Sequence, residues 1–408
     1  MGFIVLITGN HLCRNPRAFK EATTLAAAGY EVEVLGACLD PGLESEDKAL
    51  ADSGRFRFEP VVRLDTSRIG RLATRGKRWL AMQARRVGVT LPSVLGYGVS
   101  SMSVEAERRN ADLFVAHSEP AMWVANRLLK SGRRVGVDME DWYSEDYAVP
   151  GDRSRPRAYL RRLEGSVLRQ AVHSTTTSVA MSEALAGAFG CRPPAAIYNA
   201  FPLGERSTID GKNLDRPSRG APSLHWYSQT LGPRRGLEQL AAALPVMRKV
   251  EIHLRGTCKP GFRDWMMSAV PHDWRGHIHF HELVPSTEVI SRIAEHDIGY
   301  AGEMTHCRSR DLTVTNKILH YMLGGLAVVA SATSGQREVA QGSGEAIRLF
   351  DPESPQSLAA AVNALVDSPD LLARARRDAL EAAERRFCWE RQADRLLESV
   401  AHALVARR

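Results

Sequence analysis

Two hydrophobic rhythms alternate along this chain. The unbroken apolar run FIVLIT (residues 3–8) reads as a buried strand, and the following RNPRAFKEATTLAAAGYEVEVLG reads as a helix and a second strand. Asn15 is the N-cap candidate of that helix, Pro16 suits its first position and Gly29 its stop, while Ala18, Ala22, Leu25 and Ala26 recur at helical spacing. Strand, helix and strand in this order make a βαβ unit, which implies a parallel sheet. Further strands are expected in DLFVAH (112–117), RRVGVD (133–138), STTTSV (174–179) and AAIYN (195–199). The rhythm lapses over 202–222, a polar stretch with Gly and Pro that reads as an interdomain linker. A second series then runs through SLHWYS, KVEIHLRG, HIHFHE, DIGYA, LAVVAS and AIRLF. Mostly helical sequence follows to residue 386, and a last helix carries Leu396, Leu397, Val400 and Leu404 on one side. The pattern predicts an α/β fold of two doubly wound, Rossmann-like domains facing a cleft, residues 1–201 and 223–386. Ligands of such sheets sit outside the carboxyl ends of the strands.

Length agrees with two domains, since 408 residues exceed one ordinary core. Apolar and charged shares of 44% and 25% exclude a disordered chain. Lys and Arg outnumber Asp and Glu by seven, which favours an anionic partner: a phosphate ligand, a membrane surface or nucleic acid. The six cysteines are scattered without a CxxC pair, as expected of reduced thiols in a cytoplasmic protein. FIVLIT is too short for a signal-peptide core and lacks a basic leader, and no window approaches a membrane span. The basic stretches 68–86 and 153–169 read either as solvated faces or as peripheral contacts with the inner face of a membrane. Nucleic acid is not expected, because aromatics do not interleave with those basic residues beyond Trp79 and Tyr159.

Candidate chemistry concentrates in two loops of the second domain. In RDLTVTNKILHYMLGGLAVVAS (310–331) a helix begins near Thr315 and Asn316, and a helix start is a ready anion site. Lys317 opposes the macrodipole there, which a bound phosphate would explain; a solvated lysine on an ordinary helix is the alternative. His320 shares a face with Asn316, four residues earlier. In YSQTLGPRRGLEQL (227–240), Gly232, Pro233 and Gly236 make a tight turn that presents Arg234 and Arg235 before the next helix, as either a phosphate fork or a surface turn. Together the loops suit a diphosphate held without a metal or cofactor. There is no Walker P-loop or GxGxxG, so kinase and dehydrogenase readings lose their support. In the first domain, Asn10 and Arg17 follow the first strand and are expected either to touch an acceptor or the phosphate or merely to cap the helix. Asp138, Glu140, Asp141 and Glu145 end another strand and either suit acceptor hydroxyls or a base, or form a solvated acidic loop.

NKILHYMLGGLAVVAS resembles the NK-L-F-E-Y-M-A-A-G-L-P-V-V-A-S segment of family-4 glycosyltransferases of the GT-B fold. LGPRRGLE is similar to their donor loop, which implies that Arg235 contacts the diphosphate. FVAHSEPA resembles the strand end carrying the family's active-site histidine, which implies that role for His117. AAIYNAFPL and CWERQADRLLESV resemble the end of the family's first domain and the closing helix that returns to it, here 387–408. The resemblance implies transfer of a sugar from a nucleotide-diphosphate donor to a glycan, lipid-linked or small-molecule acceptor, with retention. It implies Thr315, Asn316, Lys317 and Gly232 at the donor. Many members carry a ribose-gripping Glu where this chain has His320, with a partner Glu where it has Leu312; Glu303 in the preceding loop is the substitute carboxylate. The rival readings are a nucleotide-sugar epimerase and an inactive glycosyltransferase-like subunit that binds a partner.

Overall fold

FIVLIT forms strand β1 (Phe3–Thr8), and YEVEVLG lies in β2 (Glu31–Cys38). The helix between them spans Pro16–Ala27, with Asn15 as its N-cap accepting from the Ala18 amide. This computed structural model describes residues 2–64, 68–147, 155–217 and 220–405. They divide into one unit of Met1–Ile197 with Ala393–Arg408, and a second of Tyr198–Gln392.

In the first unit, β1 and β2 join β3 (Arg57–Arg63), β4 (Leu113–His117), β5 (Val135–Met139), β6 (His173–Thr176) and β7 (Ala195–Ala196). The sheet is parallel, in the order β3-β2-β1-β4-β5-β6-β7, so chain direction across it reverses between β1 and β4. β3 was not anticipated. Its RFEPVVR carries Pro60, which lacks an amide hydrogen and is tolerated because the strand is an edge with a bulge opposite Gly36 and Ala37. STTTSV is divided: β6 stops at Thr176, and Ser178 caps a helix beginning at Val179.

The second unit holds β8 (Ser223–Leu231), β9 (Glu251–Cys258), β10 (Ile278–His281), β11 (Ile298–Ala301), β12 (Ala327–Ser331) and β13 (Ile347–Phe350). They are parallel in the order β10-β9-β8-β11-β12-β13, with the reversal between β8 and β11. One face packs Leu224, Trp226, Ile252 and Leu254 against Leu237, Leu240 and Phe262. The other packs Val328 and Ala330 against Ile318, Leu319 and Met322 of the helix Asn316–Gly324. On that second face the alternating residues of β8–β10 are polar, and among them His225, His253 and Arg255 are all at most 4% exposed.

The stretch 202–222 is not a free linker, for its described residues belong to the second unit. It forms a short 3-10 turn (Leu203–Thr208), then pairs Asp210 with Arg292 and Arg216 with Asp297, each at 2.6 Å. It lacks apolar periodicity because its partners are polar. The closing helix (Trp389–Val405) passes into the first unit at Ala393, where Arg395 donates to the Ala196 carbonyl and Ser399 lies 2.9 Å from His173.

Candidate functional site

At the carboxyl end of β8 the chain turns through Gly232–Gly236. Gly236 holds φ 81°, and a Cβ there would stand 2.6 Å from the Gly302 carbonyl oxygen, so no other residue lets this loop lie against the one after β11. The Tyr300 hydroxyl pins the contact by donating to the Gly236 carbonyl at 2.7 Å. Arg235 is exposed on this turn, tethered by a 3.0 Å hydrogen bond to Ser228 Oγ. A cation missed in the sequence joins it: a Cβ on Gly232 would lie 2.9 Å from Cδ of Lys259, which follows β9. The signal for Lys259 was its place before the Pro260–Gly261 turn at a strand end.

The β11 loop carries Glu303, whose amide donates to Ser331 Oγ at 2.6 Å. Its carboxylate accepts from Lys317 Nζ at 2.8 Å, and both side chains are largely buried. Lys317 is therefore the inner half of an ion pair, not the solvated cation of the bland reading. Thr315 precedes the helix in extended conformation, but its hydroxyl makes no capping bond, and its Oγ1 is buried without a hydrogen-bond partner. Helices starting after Ser178, Thr333, Ser354 and Ser368 all have a true side-chain cap. The first amides at Asn316 and Lys317 thus lack a side-chain acceptor, beside a cation, where the strand order reverses. A cavity of about 410 Å³ opens between the helix after Gly236 and the residues that follow Glu303, lined by Glu238, Gln239, Met304, Thr305 and His306.

His320 is not at this mouth. It is 3% exposed, stacked on Phe201 with ring centroids 3.8 Å apart, with Nδ1 2.9 Å from the Tyr227 hydroxyl and Nε2 3.5 Å from a Glu205 oxygen. The helix is buried all round from Ile318 to Gly324, because it is a central element with neighbours on every side. His320 here joins the 202–208 turn to the helix, which corrects its assignment to the ribose.

In the first unit the strand order reverses beside His117, the last residue of β4. Ser118 follows at φ 90°, strained for a residue with a Cβ, and its Oγ accepts from the Gly9 amide at 3.1 Å. His117 is 2% exposed, between Glu21 at 3.3 Å and Asp138 at 3.4 Å; neither contact is aligned as a hydrogen bond, so the attraction is electrostatic. Burial opposes the imidazolium, but Glu21 and Asp138 outweigh it and push the pKa up to about 10. Arg17 is not at the surface where it was expected. It is fully buried, grips Asp138 with two bonds of 2.7 Å and donates to the Ile197 carbonyl, so it organises the site from beneath. Both Asp138 oxygens are taken by this fork, with Thr175 on one of them. Asn10 stands exposed just past β1, with Oδ1 accepting from the His11 amide. Glu140 and Asp141 follow β5; burial, then the charge of Asp141, push the Glu140 pKa up to about 7. A carboxyl group titrating near neutrality can hold or release a proton at a strand end.

Residues 15–200 match the family model for a glycosyl transferase 4-like domain, and 223–368 match that for glycosyl transferases group 1. This chain is a family-4 glycosyltransferase of the GT-B fold. No curated protein matches the glycosyltransferase in sequence. Its fold is similar to sucrose-phosphate synthase from Thermosynechococcus elongatus, with TM-score 0.76 and 16% identity over 100% of both chains. It is similar to Anabaena HepE in complex with UDP, with TM-score 0.69 and 17% identity over 98% of this chain and 100% of that one. A putative UDP-N-acetylglucosamine 2-epimerase from Listeria monocytogenes shares the fold at TM-score 0.59 and 12% identity, covering 100% of this glycosyltransferase and 97% of the other chain.

Proposed function

We propose that this glycosyltransferase takes its sugar from a nucleoside-diphosphate donor held by the second unit and passes it, with retention and without a metal, to an acceptor hydroxyl held by the first. This reading is carried by one arrangement: the loop of Arg235 lies at Gly236 against Gly302, next to the Glu303 that holds Lys317 at the uncapped start of the helix from Asn316, where β8 and β11 part. As the glycosidic bond breaks, negative charge grows on the departing diphosphate, and cations and amides already in place stabilise it. Lys317 serves best there because Glu303 holds it in position. HepE structures in complex with UDP and with UDP-glucose support a uridine nucleotide as the first donor to try. On the acceptor side, Asn10, Glu140 and Asp141 position the hydroxyl, and His117 ends the strand beside them as one member of a buried, charge-balanced group with Glu21, Asp138 and Arg17.

Calorimetry with UDP, GDP and ADP tests the donor assignment. UDP binding that weakens at least tenfold in Arg235→Ala and in Lys317→Met is expected; affinity unchanged in both variants overturns it. An epimerase is the second reading, supported by the shared fold of the putative 2-epimerase. It is separated by product analysis with donor and no acceptor, where this proposal expects an unaltered sugar nucleotide. A chain binding no nucleoside diphosphate would fit the partner-subunit reading instead.

Among the described residues no helix is long and apolar enough to cross a membrane. The helix Arg68–Arg86 exposes Ile69, Leu72, Trp79 and Leu80 beside Arg71, Arg75 and Lys77. That mixture supports peripheral binding to an anionic membrane. The other basic stretch folds as the helix Arg157–Leu168, while its residues 153 and 154 lie outside the described ones. Flotation with vesicles containing anionic lipid tests this, and Leu72→Asp with Trp79→Asp should abolish it.

A further inference from the structure

The polar face of β8–β10 gathers histidines in register. His225 lies beside His253 and His253 beside His279; two residues further on, Tyr227, Arg255 and His281 form the next row. His296, just past the helix Val289–Ala294, stacks on His225 at 4.6 Å and lies 4.5 Å from His253. From the 202–222 stretch Asp215 enters the group, 3.3 Å from His281 Nδ1 and 3.6 Å from His296 Nε2. His225 and His296 are 0% exposed. Both ring nitrogens of His225, and Nε2 of His253 and His296, are buried with no hydrogen-bond partner. A protein rarely leaves that many buried nitrogens unpaired unless something binds them. The patch lies on the face of the sheet, apart from the strand ends that carry Arg235 and Lys317.

We propose that Asp215, His225 and His296 form a structural site for a zinc-class divalent cation, which clasps the 202–222 stretch onto the second sheet. Their three ligand atoms lie within 4.8 Å of one another. Three protein ligands leave the fourth tetrahedral position to a water, and bonds of 2.0–2.1 Å set the ligand atoms roughly 3.3 Å apart, so closing the site asks each side chain for a shift of about 1 Å or less. Imidazole nitrogen with one carboxylate oxygen suits zinc; calcium and magnesium prefer all-oxygen sites. Ser223 Oγ lies 3.3 Å from Nδ1 of His296 and orients that ring so that Nε2 faces Asp215. Arg255 is the counterweight. Its guanidinium also holds Asp215 and the Glu282 carbonyl, so the carboxylate serves two cations and affinity falls below that of an all-histidine site. The bound ion stabilises the second unit and takes no part in sugar transfer.

The test uses the full chain stripped with chelator, then titrated with Co2+ and Zn2+. One Zn2+ per chain, a tetrahedral Co2+ absorption bleached by Zn2+, and a raised Tm are expected. His225→Gln and His296→Gln should each remove the Co2+ band and weaken Zn2+ binding at least tenfold. His277 and His279 flank Glu251 at 2.8 and 2.7 Å on a more exposed edge and are the competing pair, so His279→Gln should leave the band intact. Should His225→Gln not fold, His296→Gln carries the same reading. No stoichiometric Zn2+ binding, or binding lost in His279→Gln and kept in His296→Gln, overturns the site.

Discussion

Replacing Asp138 with Asn removes one charge from a buried group that is neutral as a whole. Arg17 and His117 supply two cations, Glu21 and Asp138 two anions, and every one of these side chains is at most 2% exposed. Asn keeps the shape of Asp138, but its amide nitrogen must face a guanidinium that now finds two acceptors at 2.7 Å, and the buried group is left with one net positive charge. Breaking a buried pair from one side costs about 3–5 kcal/mol. That is a large share of the roughly 5–15 kcal/mol that holds a native domain together. Arg17→Met with Asp138→Leu should cost far less than either single change, because Glu21 and His117 remain paired at 3.3 Å and the group stays neutral. Two units need not unfold as one, so a probe local to the first is required: hydrogen exchange of the β4 and β5 amides with denaturant, for both single variants and the double. In Asp138→Asn the His117 pKa should also fall from about 10, since Asp138 is one of the two carboxylates holding it up. A loss below about 1 kcal/mol in Asp138→Asn, or a double variant as unstable as the singles, refutes the charge balance argued here.

His117 binds its proton more tightly in the folded state, at about 10, than at its ordinary 6.5. Its stabilisation is therefore complete below pH 6.5 and lost as pH rises through 10; exchange protection of β4 should fall over that window, and His117→Gln should flatten the profile. Arg235→Ala should lower kcat on the order of 10²–10³-fold while leaving Tm nearly unchanged, because the residue is exposed; an unaltered kcat counts against its role. Gly236→Ala should destabilise the second unit by at least 1–3 kcal/mol in denaturant titration, a rough figure for strained backbone before the clash with Gly302 is added. His320→Glu, though it restores the family's residue, should lower Tm and not tighten UDP binding, since it buries a second carboxylate against Glu205 beneath Phe201. Tighter UDP binding at unchanged Tm would show that position 320 faces the ribose after all.

Parallel strands buried on both faces, and helices punctuated by Asn15, Pro16 and the cap serines, are local facts, so the two βα series could be read directly. Anion-friendly loops were legible for the same reason: in a doubly wound sheet, strand ends alone say which loops meet at the crossover. β3 escaped because Pro60 disguises a strand that only its edge position permits. Arg17, His320 and the 202–222 stretch were misjudged because charge and polarity predict exposure, and exposure fails when partners arrive from far along the chain. Arg17 meets Asp138 across 121 residues, and Tyr227 meets His320 across 93. The histidines of β8 to β10 make the same point in register: alternation announced a polar face, but whether water or protein covers it depends on a helix and a loop whose positions no periodicity records. Short-range stereochemistry writes itself into spacing; long-range pairing of buried charges leaves no local mark, since its free energy exists only once the partners have met.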